Sequence, residues 1–354
     1  MKVITDQDVV NFLNNNLDKS SILNLFQHTL YNSLKTYSTN PNSIVPPRIA
    51  QASNNSNSDT THVYMPCISP NEVGIKVISG GQGNNEKGLG FQGCVLIMDE
   101  ITGQLQAVLN ANTLTAFRTA LASSLGLIEK INVDSDNILP EISVFGVGLQ
   151  AYWHVKLALL LYEDKIKTVN ILNRTLSNAK KLKDQFTKEF SNIEFNAFSY
   201  LENEEEFLKH VHNSSIIFGC TPATTPVIKK EYLNQDPQYP VFISLIGSYK
   251  PHMIELDLDL MKELKSNGVK IIVDSKEHTL HEAGELIQSE YKEEELVEIH
   301  EVYKTTNPEI LNDVSYKNLN LTVQKIVGLS IMDLSIGKLI YDKIGDDTVI
   351  VNNF

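Results

Sequence analysis

Glu141-Ile142-Ser143-Val144-Phe145-Gly146-Val147-Gly148-Leu149-Gln150-Ala151 runs from an apolar strand into a GxGxxA turn, and the chain continues through a helix and a second strand to Thr175. Ile142, Val144 and Phe145 carry the strand, and Val155, Ala158, Leu159 and Tyr162 recur at helical spacing beyond the turn. Each small residue has a mechanical task. Gly146 permits the tight turn, Gly148 lets a pyrophosphate approach the backbone, and Ala151 lets helix and strand pack closely, with Leu149 and Gln150 between them. The free amides and dipole of a helix N-terminus favour an anion there. The pattern therefore predicts a dinucleotide-binding unit; the plainer alternative is a structural strand-to-helix turn.

The second strand ends in Asn173-Arg174-Thr175, where a protein using the non-phosphorylated cofactor usually presents an acid to the ribose hydroxyls. No acid stands there. Arg174 can pair with a 2'-phosphate while Asn173 and Thr175 donate hydrogen bonds, so NADP(H) is the expected cofactor, with NAD(H) as the alternative. The competing reading makes Arg174 a solvated loop charge.

A chain of 354 residues is long for one core, and 42% hydrophobic with 21% charged residues is ordinary globular composition. The formal charge of −13 disfavours nucleic acid and anionic membranes, both of which need a concentrated basic surface. Cys67, Cys94 and Cys220 are too widely spaced for a disulfide framework or a zinc cluster, so all three are expected to be buried small apolar residues and no metal site is expected. The N-terminal segment lacks the apolar core of a signal peptide and no later run is long enough to span a bilayer, so a cytoplasmic protein is expected.

Apolar residues from Val9 to Leu34 recur at helical spacing and predict one or two helices. Short strands follow around residues 46–50, 62–66, 74–78 and 94–98. The Asn/Ser/Asp/Thr tract from Gln51 to Thr61 reads as a hairpin tip, and the glycine-rich segment from Gly80 to Gly90 as either a ligand flap or a plain mobile loop. Leu114 to Leu127 is a helix apolar nearly all round, within which Arg118 must find an anion. That anion is either a ligand or a structural acid.

Beyond Thr175 strands and helices alternate, and the apolar runs end at Cys220-Thr221, at Gly247-Ser248-Tyr249 and at Asp274. Ligands of an open parallel sheet bind at such carboxyl ends, so these residues are expected to face one crevice. The run from Leu321 to Ile344 is expected to be a final helix.

Several of these segments together resemble the ornithine cyclodeaminase and mu-crystallin family: Pro47-Arg48-Ile49, Met65-Pro66, Gly74 to Val77, Leu114 to Ala120, Gly146 to Ala151 with His154, Thr221-Pro222, Glu282 to Glu285, and Gly328 with Asp333. The resemblance implies a Rossmann-type doubly wound parallel sheet plus a split α+β substrate and dimerisation domain, usually in a homodimer. It divides the chain into a substrate-binding and dimerisation domain at 1–125, a Rossmann domain at 126–320, and a C-terminal helix at 321–354 returning to the first domain. It also implies that Arg48 and Lys76 face a substrate carboxylate, with Arg118 between that carboxylate and the cofactor and Thr119 beside it.

A guanidinium clamps a carboxylate through two parallel bonds and an ammonium adds a movable donor. A small imino or amino acid is thus the expected partner. Family cyclodeaminases carry an Asp two residues after the glycine matching Gly247 and a Lys four residues further on, where this chain has Tyr249 and Met253. A phenol is a poor base at neutral pH but a competent donor, so Tyr249 is a candidate for orienting or protonating an imine nitrogen, the plainer alternative being a packing role at the rim. The leading expectation is an NADPH-dependent reductase of small imino acids. An NAD-using cyclodeaminase lyase and a non-catalytic NADPH-binding protein are the alternatives.

Overall fold

A computed structural model describes residues 1–134, 141–202, 204–345 and 348–352 of the chain. Two units divide it: Met1–Thr119 with Gly328–Phe354, and Ala120–Val327.

In the first unit the strands are β1 (Lys2–Ile4), β2 (Ile49–Ala52), β3 (Thr61–Ile68), β4 (Val73–Gly80), β5 (Gln92–Met98) and β6 (Leu105–Asn110). With the short strand Val349–Ile350 they form one sheet, ordered Val349–Ile350, β1, β6, β5, β4, β3, β2. Neighbours from β2 to β6 are antiparallel and β1 runs parallel to β6. Residues of β3, β5 and β6 alternate as a one-sided core requires, with Met65, Cys67, Val95, Ile97, Ala107 and Leu109 buried. The helix Asp6–Asn16 starts in a capping box, in which Thr5 Oγ1 accepts from the Asp8 amide at 3.2 Å and Asp8 Oδ2 from the Thr5 amide at 2.8 Å.

Strand β4 breaks the alternation rule. Gly74 and Lys76 lie on its buried face while Ile75 and Val77 lie half-buried on the other. The helix Ser330–Lys343 packs over β3, β4 and β5 and beside the helix Gln27–Thr39. A Cβ at Gly74 would fall 2.0 Å from the Leu96 carbonyl oxygen of β5 and 2.8 Å from Leu334 Cδ1, so the position leaves no room for a side chain between β5 and this helix.

The second unit is a doubly wound parallel sheet. Its strands are β7 (Glu141–Phe145), β8 (Thr168–Asn173), β9 (Glu194–Ser199), β10 (Ser214–Gly219), β11 (Val241–Leu245), β12 (Ile271–Val273), β13 (Leu296–Glu298) and β14 (Leu321–Lys325). The order is β13, β12, β14, β11, β10, β7, β8, β9, with every pair parallel. Near-continuous burial of β10, β11 and β14 matches a sheet covered on both faces. Successive strands diverge from β7 in opposite directions, β8 to one side and β10 to the other, which makes the β7–β10 boundary the topological switch point.

Three expectations are corrected. The run from Leu321 is not one helix: Leu321–Lys325 is strand β14, paired with β11 and β12, and the helix begins only at Ser330. The helix Leu149–Tyr162 buries Trp153, His154, Lys156, Leu157 and Leu161 besides the expected stripe, so it is enclosed nearly all round. Of the cysteines, only Cys67 is fully buried. Among the described residues no helix is long and apolar enough to cross a membrane.

Candidate functional site

At the switch point the glycine turn has the shape an anion cradle needs. Gly146 has φ +113°, and a Cβ there would lie 2.5 Å from the Cys220 carbonyl oxygen. Backbone bonds fix the turn from both sides: the Gly146 amide donates to Leu172 O at 2.8 Å, and the Cys220 amide to Phe145 O at 2.8 Å. Gly148 is different. It caps the helix Leu149–Tyr162 without a side-chain hydrogen bond, and a Cβ at Gly148 would meet nothing within 4 Å. The helix therefore opens onto free space with amides that no capping side chain consumes, as a bound pyrophosphate requires. Ala151 is fully buried, Leu149 is exposed, and Gln150 Oε1 is buried without a hydrogen-bond partner among the described residues.

The same helix is anchored from behind. His154 Nδ1 lies 2.7 Å from Gln150 O, Nε2 lies 2.8 Å from Ser123 Oγ, and that hydroxyl lies 2.9 Å from Ser244 Oγ. A carbonyl only accepts, so we assign the proton to Nδ1 and leave Nε2 to accept from Ser123. Burial pulls His154 down to about 4, which keeps it neutral. It is a framework residue rather than a ligand.

At the end of β8, Asn173 Nδ2 donates to Thr175 O at 3.0 Å and the Arg174 carbonyl accepts from Ser199 Oγ at 3.2 Å. The Arg174 side chain is exposed, and no ion pair engages it among the described residues. Across the switch point, Thr221 follows β10, buried, with its amide held by Glu255 Oε1 at 2.6 Å.

The first unit gathers the cations. Lys76 Nζ donates to Asp333 Oδ1 at 2.8 Å and to Thr115 Oγ1 at 2.8 Å. Arg118 Nε lies 3.2 Å from the same Asp333 oxygen, an ion-pair contact rather than an aligned hydrogen bond. Arg48 Nη2 donates to Gly328 O at 2.8 Å, and Arg118 lies against the same glycine, where a Cβ would fall 2.7 Å from Arg118 Nη1. Thr119 Oγ1 donates back to Thr115 O at 2.7 Å. Lys76, Arg118 and Arg48 are thus brought together. Tyr249 belongs to the second unit and is half-buried, and burial raises its phenol above the ordinary range.

Two cations exposed by only 1% and 4% share one oxygen of one fully buried carboxylate, whose Oδ2 has no hydrogen-bond partner among the described residues. Burial pulls Lys76 down to about 8; Arg118 and Arg48 add to that pull and Asp333 opposes it. Burial would raise Asp333, but Arg118 and Lys76 outweigh it and hold the carboxyl below its usual range. Such a cluster carries surplus positive charge in a dry place, and an anionic ligand relieves it.

Asp333 is the residue that chemical reading of the sequence left without a role. Its signal was present: an acid inside Ser330-Ile331-Met332-Asp333-Leu334-Ser335-Ile336-Gly337, a segment buried throughout, needs a cation.

The family described as ornithine cyclodeaminase/mu-crystallin matches the chain over residues 16–348. An uncharacterized protein of Saccharomyces cerevisiae is 35% identical over 362 residues, covering 95% of each chain. Ketimine reductase mu-crystallin of Rattus norvegicus is 27% identical over 281 residues, covering 78% of this chain and 79% of the relative. Among solved structures, the Thermococcus litoralis Δ(1)-pyrroline-2-carboxylate reductase in complex with NADH and L-proline superposes with a TM-score of 0.76 at 21% identity, over 99% of this chain and 100% of that one. With the profile spanning nearly the whole chain and both sheets recurring in a solved fold, this protein belongs to the ornithine cyclodeaminase/mu-crystallin family.

Proposed function

We propose that the protein is an NADPH-dependent reductase of small imino acids, a ketimine-reductase-like activity. The observation that carries this reading is the buried cluster in which Lys76 and Arg118 share Asp333 Oδ1. It matches a carboxylate-bearing substrate whose reacting nitrogen needs a donor. The named activities of relatives, ketimine reductase and Δ(1)-pyrroline-2-carboxylate reductase, support it. We also read the protein as cytoplasmic and, as the family resemblance implies, as a homodimer.

In this reading Gly146, Gly148, Leu149, Gln150 and Ala151 hold the pyrophosphate, while Asn173, Arg174 and Thr175 read the adenosine ribose and its 2'-phosphate. Thr119, Cys220 and Thr221 border the nicotinamide. When bound, the reduced nicotinamide supplies a hydride. Arg48 and Arg118 clamp the substrate carboxylate, and the clamp fixes the C=N carbon. Lys76, with its ammonium on a buried strand face and its proton affinity lowered, passes a proton from Nζ to the imine nitrogen and recovers one from solvent. Asp333 holds Lys76 and Arg118 in one geometry, and Tyr249 is a further donor toward the nitrogen. Cyclodeamination fits less well. A phenol raised by burial stands where the base would be, and Met253 is buried and apolar where the lysine would be.

The test is purified protein with NADPH or NADH and piperideine-2-carboxylate or pyrroline-2-carboxylate, followed by absorbance of the reduced nicotinamide. Consumption of NADPH is the expected result, and none across a panel of imino and keto acids overturns the reading. Arg174→Ala should weaken NADPH by about 1.5 to 3 kcal/mol and leave NADH unchanged, as loss of a charge-assisted bond demands. Equal weakening of both cofactors removes Arg174 from the phosphate.

A further inference from the structure

Beneath the carboxyl ends of the second half of the parallel sheet lies a buried polar cluster that no step above uses. Its centre is Glu255, fully buried. Oε1 accepts from the Thr221 amide at 2.6 Å and the Thr221 hydroxyl at 2.9 Å. Oε2 accepts from the Gly247 amide at 2.6 Å and the Ser248 amide at 3.2 Å. One carboxylate thus gathers donors from the segment after β10 and the segment after β11.

Two glycines make room for this arrangement. A Cβ at Gly219 would stand 3.0 Å from Glu255 Oε1, and a Cβ at Gly247 would stand 2.0 Å from the Thr221 carbonyl oxygen. A second layer fixes the carboxylate's own backbone. The Glu255 amide donates to Glu285 Oε1 at 2.5 Å, Ser248 Oγ donates to Glu285 Oε2 at 2.7 Å, and Lys325 Nζ, at the end of β14, donates to Ser248 Oγ at 2.5 Å. Lys325 also stands 3.9 Å from Glu285. Buried charge of this kind is costly unless fully bonded, and here each carboxylate oxygen of Glu255 is bonded twice.

A doubly wound sheet binds a dinucleotide as two mononucleotide halves, one on each side of the switch point. The adenosine side is β7, β8 and β9; the segments tied by Glu255 follow β10 and β11, on the other side. We infer that Glu255 is a positioning residue for the nicotinamide half of the cofactor: it fixes the Thr221 and Gly247–Ser248 segments that border the ring, while the turn from Gly146 to Ala151 and the segment from Asn173 to Thr175 hold the adenosine half independently. The inference rests on the cofactor reading above and deepens it.

The experiment uses the full chain and the variant Glu255→Gln, which keeps shape but turns an NH₂ toward donors. Calorimetric titration compares NADPH with 2'-phospho-AMP, which carries the adenosine half alone. The variant should bind NADPH roughly tenfold or more weakly, because buried donors lose their acceptor, and 2'-phospho-AMP as tightly as wild type. Retained 2'-phospho-AMP binding also reports a folded second unit. Should Glu255→Gln not fold, Glu255→Asp keeps the charge, shortens its reach and is read in the same way. Unchanged NADPH affinity, or equal weakening of both ligands in a folded variant, overturns the inference. Failure of wild type to bind either ligand instead overturns the cofactor reading on which the inference stands.

Discussion

Lys76 shows how one side chain is assigned its chemistry by what surrounds it. A lysine in a strand is ordinarily a surface charge, and neighbouring Ile75 and Val77 would by alternation take the core. The reverse occurs because Asp333 and Thr115 satisfy the ammonium on the buried face. Burial, Arg118 and Arg48 pull its proton affinity down to about 8, so it is protonated at neutral pH and gives the proton up more readily than a solvated lysine. If Lys76 protonates the imine nitrogen, imine reduction falls as pH rises through about 8, since only the charged form donates. Lys76→Met should lower kcat by roughly a hundred- to ten-thousand-fold and abolish that alkaline limb. A pH–rate profile of both proteins checks this, and a limb that persists in the variant assigns it to another group. The cations themselves were legible in the sequence because each stands in an apolar or family-like segment. Asp333 received no chemical role because its partner Lys76 lies 257 positions away and no local pattern links them.

At the scale of elements, the strand, turn and helix from Glu141 to Tyr162 were legible because each part has a distinct local signature: an apolar run, small residues at fixed offsets, then a long run without glycine. The first-unit strands β1 and β6 and the Rossmann strand β9 were not, since they are short, half-polar and held by neighbours distant in sequence. The same distance hid β14, whose apolar run reads equally well as helix until β11 and β12 pair with it. The two glycines of the turn separate folding from binding. A Cβ at Gly146 meets the Cys220 carbonyl oxygen at 2.5 Å on a backbone of φ +113°, whereas a Cβ at Gly148 meets nothing within 4 Å. Gly146→Ala should therefore destabilise the protein by about 1–3 kcal/mol. Gly148→Ala should unfold like wild type yet bind NADPH more weakly, because in the proposed cofactor reading the added methyl takes the space of the pyrophosphate. Denaturant unfolding and cofactor titration on both variants decide it; a Gly148→Ala protein with wild-type affinity places the pyrophosphate elsewhere.

For the whole molecule, each unit holds a buried ionisable group displaced in a direction that makes stability depend on pH. Glu255, in the unit Ala120–Val327, is pushed up to about 7 by burial, with Glu285 adding to the rise and Lys325 and Thr221 opposing it. Its folded form holds a proton that the unfolded chain releases near the ordinary carboxylate value of 4.5, so the stability it contributes is full below that value and is lost as pH rises through about 7. Lys76, in the other unit, is displaced the opposite way. Its folded form releases a proton near 8 that the unfolded chain keeps to 10.5, so the penalty for burying its charge is relieved as pH rises between those values. Each displacement corresponds to about 3 kcal/mol between the ends of its window. Measured by denaturant midpoint from acid to alkaline pH, the stability difference between wild type and Glu255→Gln should change mainly across the lower window, and that between wild type and Lys76→Met mainly across the upper one. The net charge of −13 adds a repulsion that each variant alters by only one formal charge, so nearly all of it cancels in the differences. A flat difference for Glu255→Gln would mean that its carboxyl titrates alike in folded and unfolded chains, the four donors that converge on it at the ends of β10 and β11 then offsetting the whole cost of its burial.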